Sequence, residues 1–209
     1  MAGAWVAPRL GADAVDSGRT ATAARVHPDP ATVHTRPRLH VSGPAGVAQQ
    51  AASQVQPERP ISVTLSNGVV MHVDVASTGA DGVLQLPENI SRAGWWEGSS
   101  RLGDPYGSTV LAAHVDSFTQ GIGPFAALLS AHPGERVLVM APHLAQPFRV
   151  VSARFVPKTS LTPGSHAYSA YGRRRLVMIT CGGPYDPGNG GYQDNVVVVA
   201  TPLHAARAR

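Results

Sequence analysis

Cys181 and His114 are the residues of this 209-residue chain whose types and surroundings point most directly to chemistry. Cys181 is the only cysteine and ends an apolar run, Leu176-Val177-Met178-Ile179-Thr180-Cys181, with Gly182-Gly183 directly after it. A thiol at a strand end beside glycines can be approached by a substrate backbone, whereas a lone buried cysteine is an inert small hydrophobe. His114 ends a second apolar run, Val110-Leu111-Ala112-Ala113-His114, followed by Val115-Asp116. Cysteine catalysis needs a thiolate and a positioned acid–base, usually imidazole, and the two come from distant sequence positions. With ordinary pKa values of about 8.5 and 6.5, pH 7 leaves roughly 3% thiolate and roughly a quarter imidazolium, so both reactive forms coexist in under about 1% of molecules. Such a pair is slow unless its surroundings shift those values.

The elements that must hold the pair read as strands. Ile61–Leu65 and Val69–Val75 alternate apolar and polar residues around Asn67-Gly68, a hairpin signal. Further strand-like runs are Thr109–Ala113, Arg136–Met140, Phe148–Val156, Leu176–Cys181 and Asn195–Thr201. Turn signals separate them, among them Pro133-Gly134, Pro163-Gly164 and Gly182-Gly183-Pro184. Only Phe125–Ser130 reads as helical. Many short strands with turns between them predict an all-β barrel or sandwich. Its expected span is residues 59–205, after an Ala- and Pro-rich disordered tail over 1–58 and before a short tail over 206–209. Residues 1–56 hold only nine Val or Leu and no Ile or Phe, about 16%, below the roughly 20% a segment needs to build a core.

Composition narrows the function classes. The net charge is +4 and the pI about 9.7. The sixteen Arg and one Lys cluster only at Arg173-Arg174-Arg175. No aromatic residues interleave with the arginines to stack on bases, so the run reads as a strand cap and no nucleic-acid partner is expected. A single cysteine forms no intrachain disulfide and no Cys-rich zinc site. No His, Asp and Glu grouping has metal-ligand spacing, and no cofactor is expected. The longest apolar run near the C-terminus, Val196–Ala200, is far short of the ~18 residues that span a bilayer.

Several segments together resemble a known family, the class F sortases. Gly107–Ser117 is similar to the family's histidine motif, Leu176–Asp186 to its cysteine motif, and Tyr192–Val198 to its closing strand. Phe125 with Leu128 or Leu129, then Pro133–Val137, matches the family's helix and next strand, and Val156-Pro157-Lys158 also fits. The resemblance runs over about residues 59–202 in the right order. It implies a closed eight-stranded β-barrel with one or two short helices. It also implies a cysteine transpeptidase at the extracytoplasmic cell surface, which cleaves a Leu-Pro-x-Thr-Gly sorting signal after Thr. The resulting thioacyl intermediate passes to an amine of a peptidoglycan precursor. On this match Cys181 is the nucleophile, His114 protonates the leaving amine, and Thr180 helps shape the site.

Three departures stand out. The family's arginine on the closing strand, which holds the oxyanion and the substrate, is here Gln193. Glutamine donates a hydrogen bond without charge, and charge-assisted bonds are about twice as strong. Losing one oxyanion donor costs ~10²–10³ in rate. Arg92, Arg149 and Arg173 are alternative sources of the charge, and a sortase fold that binds sorting signals with little or no cleavage is the alternative function. Class F members also carry an N-terminal membrane helix, and residues 1–56 read as the tether such an anchor would precede. Ala113, finally, stands where a glycine often precedes the histidine. An L,D-transpeptidase is disfavoured, because its His-Gly and Ser-x-Gly-Cys elements do not occur in the required form. Among the remaining residues, Asp116 either orients His114 or caps its own turn. Trp95-Trp96 packs in the core or lines a groove, and Asp186 and Asp194 read as turn residues.

Overall fold

The computed structural model describes residues 55–161 and 165–209, so the expected N-terminal tail, as far as residue 54, lies outside the described residues. Eleven strands follow in chain order: β1 (Ser62–Thr64), β2 (Val70–Ala76), β3 (Arg92–Trp96), β4 (Ser108–Ala112), β5 (Asp116–Ser117), β6 (Gly121–Ile122), β7 (Arg136–Met140), β8 (Leu144–Pro157), β9 (Arg175–Asp186), β10 (Gly191–Pro202) and β11 (Arg207–Ala208). The main sheet runs β10-β9-β4-β3-β2-β1-β7-β8, with β11 on the outer edge of β8. β8 also pairs antiparallel with β10, which closes the eight longer strands into a barrel. Two pairings are parallel, β2 with β3 and β4 with β9.

The sequence explains the local geometry. Between β1 and β2 the Gly68 N–H bonds the Leu65 carbonyl at 2.9 Å, Asn67 Oδ1 accepts from the Val69 N–H, and Gly68 takes a φ of 83°. A left-handed residue ending a three-residue loop is a common hairpin solution. β3 carries the tryptophan pair and pairs along its length, yet it has no apolar–polar alternation to announce it. Its Trp95 packs inside the barrel and Trp96 outside, where the ring meets Tyr168 edge-on at 5.8 Å. Trp95-Trp96 is therefore core. Among the described residues the helical turns are all of the 3-10 kind, and the longest, Pro124–Ser130, buries Phe125 and Leu128 against the interior. Those side chains are three apart, the spacing that aligns on a 3-10 turn.

Two apolar layers result. Val63, Met71, Leu111, Phe148, Leu176, Met178 and Val198 fill the barrel, as the interior of an eight-stranded barrel requires. On the other face of β4 and β9, Val110, Ala112, Val177 and Ile179 pack with Trp96 under Leu161, Ala167 and Tyr168. The arginine run fastens the start of β9. Buried Arg174 donates to Thr109 Oγ1 at 2.6 Å and to the Arg101 carbonyl at 3.0 Å, and its guanidinium sits 5.9 Å from the Phe148 ring centre. Burial lowers its pKa to about 10. Structure extends past both expected domain limits. Glu58 exchanges two 2.8 Å backbone bonds with Leu102, and Arg207–Ala208, expected as tail, pairs with β8.

Candidate active site

The register of β4 against β9 brings the cysteine and the histidine together. Matched pairs run from Ser108↔Arg175 to Ala112↔Ile179, and His114 and Cys181 each lie two residues further on. Beyond the end of β4 the Ala113 N–H still donates to the Ile179 carbonyl at 3.2 Å. Thr180 Oγ1 donates to the Ala113 carbonyl at 2.8 Å. These two bonds hold the strand ends at the spacing of neighbouring strands, about 4.8 Å. Side chains alternate along a strand, so Val110, Ala112 and His114 share one face, and Val177, Ile179 and Cys181 share the same one. This is the outer layer, not the barrel interior. Both residues are half-buried, and both line a cavity of about 370 Å³.

Burial shapes the chemistry of the pair. It pushes the Cys181 thiol above its ordinary pKa; the Lys158 charge pulls it down and Asp116 pushes it further up. The same desolvation depresses His114, with Asp116 opposing. Both groups are thus biased to their neutral forms, and the two pKa values move apart.

The other sequence-nominated residues fall in different places. Asp116 lines the cavity, and its Oδ2 accepts a 2.6 Å bond from the Tyr192 hydroxyl. The carboxylate thereby ties the loop after His114 to β10, and its charge also acts on the His114 ring. The same bond raises the Tyr192 pKa to about 12. Thr180 does not line the cavity, since its hydroxyl faces the Ala113 carbonyl on the opposite side of the strand. Gln193 does not line it either. The register of β10 against β9 slips between Tyr192 and Asp194, and Gln193 occupies the bulge. Its amide donates to the carbonyls of Gly191 (2.5 Å) and Asn189 (3.3 Å). None of the three alternative arginines lines the cavity: Arg92 is bonded to Asp74, Arg149 lies in the far half of β8, and Arg173 bridges Tyr106. Asp186 is a turn residue, accepting from the Gly188 N–H and the Asn189 side chain.

Sequence reasoning passed over several residues of the site. Tyr185 and Tyr192 line the cavity and meet edge-on, ring centres 5.0 Å apart. Lys158 lines it from the start of the Lys158–Ser160 turn, and Glu88 and Phe118 from two other loops. Asn195 stands directly opposite Cys181 in the β9–β10 ladder, almost fully buried, and its Oδ1 has no hydrogen-bond partner among the described residues. The signal for Asn195 was its position in the Tyr192-Gln193-Asp194-Asn195 segment, and for Tyr185 its position in the Leu176–Asp186 segment; Glu88 carried none. Among the described residues, no three His, Cys, Asp or Glu side chains converge to hold a metal ion.

A family model described as the Sortase domain matches residues 66–203, about two thirds of the chain. Among solved structures, sortase E1 from Streptomyces coelicolor with a tripeptide in the active site is 13% identical, with a TM-score of 0.52 over 72% of this chain and 91% of that one. Listeria monocytogenes sortase A is 13% identical, with a TM-score of 0.52 over 74% and 92%. Sortase C2 of group B Streptococcus pilus island 1 is 20% identical, with a TM-score of 0.52 over 72% and 76%. No curated protein matches the chain.

Proposed function

The chain belongs to the sortase family, a family of cysteine transpeptidases, and from that premise we propose that it cleaves a Leu-Pro-x-Thr-Gly type sorting signal after Thr, with Cys181 as nucleophile and His114 as acid, and passes the thioacyl product to an amine. The reading is carried by one observation: His114 and Cys181 each lie two residues beyond the last matched pair of the parallel β4–β9 ladder and line one cavity.

The reaction follows from the two groups. The Cys181 thiolate attacks the Thr carbonyl carbon, and the carbonyl π electrons move onto oxygen. When that oxyanion collapses, the C–N bond to Gly breaks. The departing nitrogen takes the proton of the His114 imidazolium, leaving a thioester and a neutral imidazole. An incoming amine then attacks the thioester carbon, gives its proton to His114 and releases the Cys181 thiolate. The partners this calls for are sorting-signal peptides of surface proteins and, as acceptor, an amine of a peptidoglycan precursor at the extracytoplasmic surface. The class F likeness rests on the Thr180-Cys181-Gly182-Gly183 and Tyr192–Val198 segments.

Intact-mass measurement with a Leu-Pro-x-Thr-Gly peptide tests this. Wild type gains the mass of the peptide's Leu-to-Thr portion as a thioester, Cys181→Ala gains nothing, and His114→Ala acylates at least ~10²-fold more slowly, the usual contribution of one general acid. An adduct in Cys181→Ala, or none in wild type, would falsify the proposal. The second reading, a sorting-signal binder with little turnover, is favoured by Gln193, whose amide is engaged by the carbonyls of its own hairpin. Peptide binding to wild type without any adduct would identify it.

A further inference from the structure

Acyl transfer concentrates negative charge twice, on the attacking sulfur and then on the carbonyl oxygen. A site that manages this needs a cation or strong donors aimed there. Gln193 supplies neither, and Arg92, Arg149 and Arg173 are placed elsewhere. Arg149 and Val156 are seven residues apart on β8, about 20 Å along the strand.

Lys158 is the chain's only lysine, and apart from His114 it is the only basic residue among the described residues that line the cavity. It is half-buried, and among the described residues it has no hydrogen bond and no ion pair. Three-strand register explains how it reaches the site. Val156 on β8 faces Asn195 on β10, and Asn195 faces Cys181 on β9. These three residues form one row across the barrel wall, and Lys158 lies two residues past Val156 at the row's end. The middle of the row holds the partnerless Oδ1 of buried Asn195, an acceptor that calls for an N–H donor beside the cysteine. A four-carbon stem ending in three donors can supply one. The opposing charges lining the cavity are Glu88 and Asp116; the remaining titratable groups there are His114, Tyr185 and Tyr192.

We infer that Lys158 is the cation of this site: its ammonium lies over the Asn195 row, holds the Cys181 thiolate, and stabilises the peptide carbonyl oxygen as it takes up charge. This rests on the transpeptidase reading for the second of the two tasks only. The first is independent of any substrate. The downward pull of Lys158 on the thiol agrees with it.

The test separates the two. Alkylation of Cys181 by iodoacetamide, followed against pH at low and high salt, reads the thiolate directly. Lys158→Met raises the titration midpoint at low salt, Lys158→Arg leaves it near wild type, and high salt removes the difference, because a partly exposed charge pair is screened. With the sorting-signal peptide, thioacyl formation falls on the order of 10²-fold in Lys158→Met and far less in Lys158→Arg. An unchanged midpoint in Lys158→Met at low salt overturns the inference and leaves the sortase assignment intact. A lysine-dependent midpoint in a wild type that never acylates supports Lys158 as the thiolate's partner and sinks the transpeptidase reading instead.

Discussion

At the scale of single residues, the direction of two pKa shifts fixes a pH profile. Burial raises the Cys181 thiol and lowers the His114 imidazole. In the proposed mechanism the reactive combination has the cysteine deprotonated and the histidine protonated. Its population grows with pH until the histidine titrates, stays level while pH lies between the two values, and declines once the cysteine has titrated. Unshifted groups would hold roughly 1% of molecules in that state on a plateau about two pH units wide. Shifts in these directions widen the plateau and lower it. A kcat/KM profile against pH should therefore show a broad flat top, and a narrow bell would contradict the assignment of roles. Both reactive residues were legible in the sequence, because apolar runs end at them and glycines follow the cysteine. Asn195 and Tyr192 were not. What matters for Asn195 is which residue of the neighbouring strand it faces, and for Tyr192 which carboxylate its hydroxyl reaches across 76 positions of chain. Neither is written in residue type.

At the scale of elements, the loop after His114 is held by backbone. The Gly123 N–H bonds the Val115 carbonyl at 2.9 Å, and a β-carbon at Gly123 would lie 2.9 Å from the His114 carbonyl oxygen and 3.3 Å from those of Ile90 and Val115. Backbone on three sides has no rotamer with which to yield. Gly123→Ala should displace the histidine loop and slow thioacyl formation by at least tenfold, while iodoacetamide alkylation of Cys181, on a different strand, changes little. Comparable losses in both assays would mean that the whole site had collapsed. The β1–β2 hairpin was readable because Asn67-Gly68 declares its turn, and β7 matched its apolar run to the residue. β3 was invisible because Ala93, Trp95 and Trp96 are buried on alternating faces, so no polar side marks the period. The bulge at Gln193 could not be read either, since it is a slip between two strands and belongs to neither alone.

For the whole molecule, the barrel and the reactive face are separate layers of one sheet. Phe148 is fully enclosed inside, whereas Cys181 and His114 belong to the outer face. Phe148→Ala should cost about 3–5 kcal/mol in chemical denaturation and leave the alkylation midpoint of Cys181 where it was. A shifted midpoint would show that the two layers communicate. An all-β barrel or sandwich was legible from turn spacing and the count of eight strands came from the family resemblance, but the seam was not legible: β8 closes on β10 across 37 to 54 positions, a pairing that no local pattern encodes.

The clasp between Ala113, Ile179 and Thr180 has a consequence for engineering. The backbones of His114 and Cys181 are spaced by the sheet's own ladder, whereas part of the cavity wall comes from segments outside it, among them the 116–122 hairpin with its fully exposed Phe118. Side chains at the hairpin tip, Phe118 first, can therefore be exchanged without moving those two backbones, whereas Asp116 at its base acts on both pKa values and has to stay.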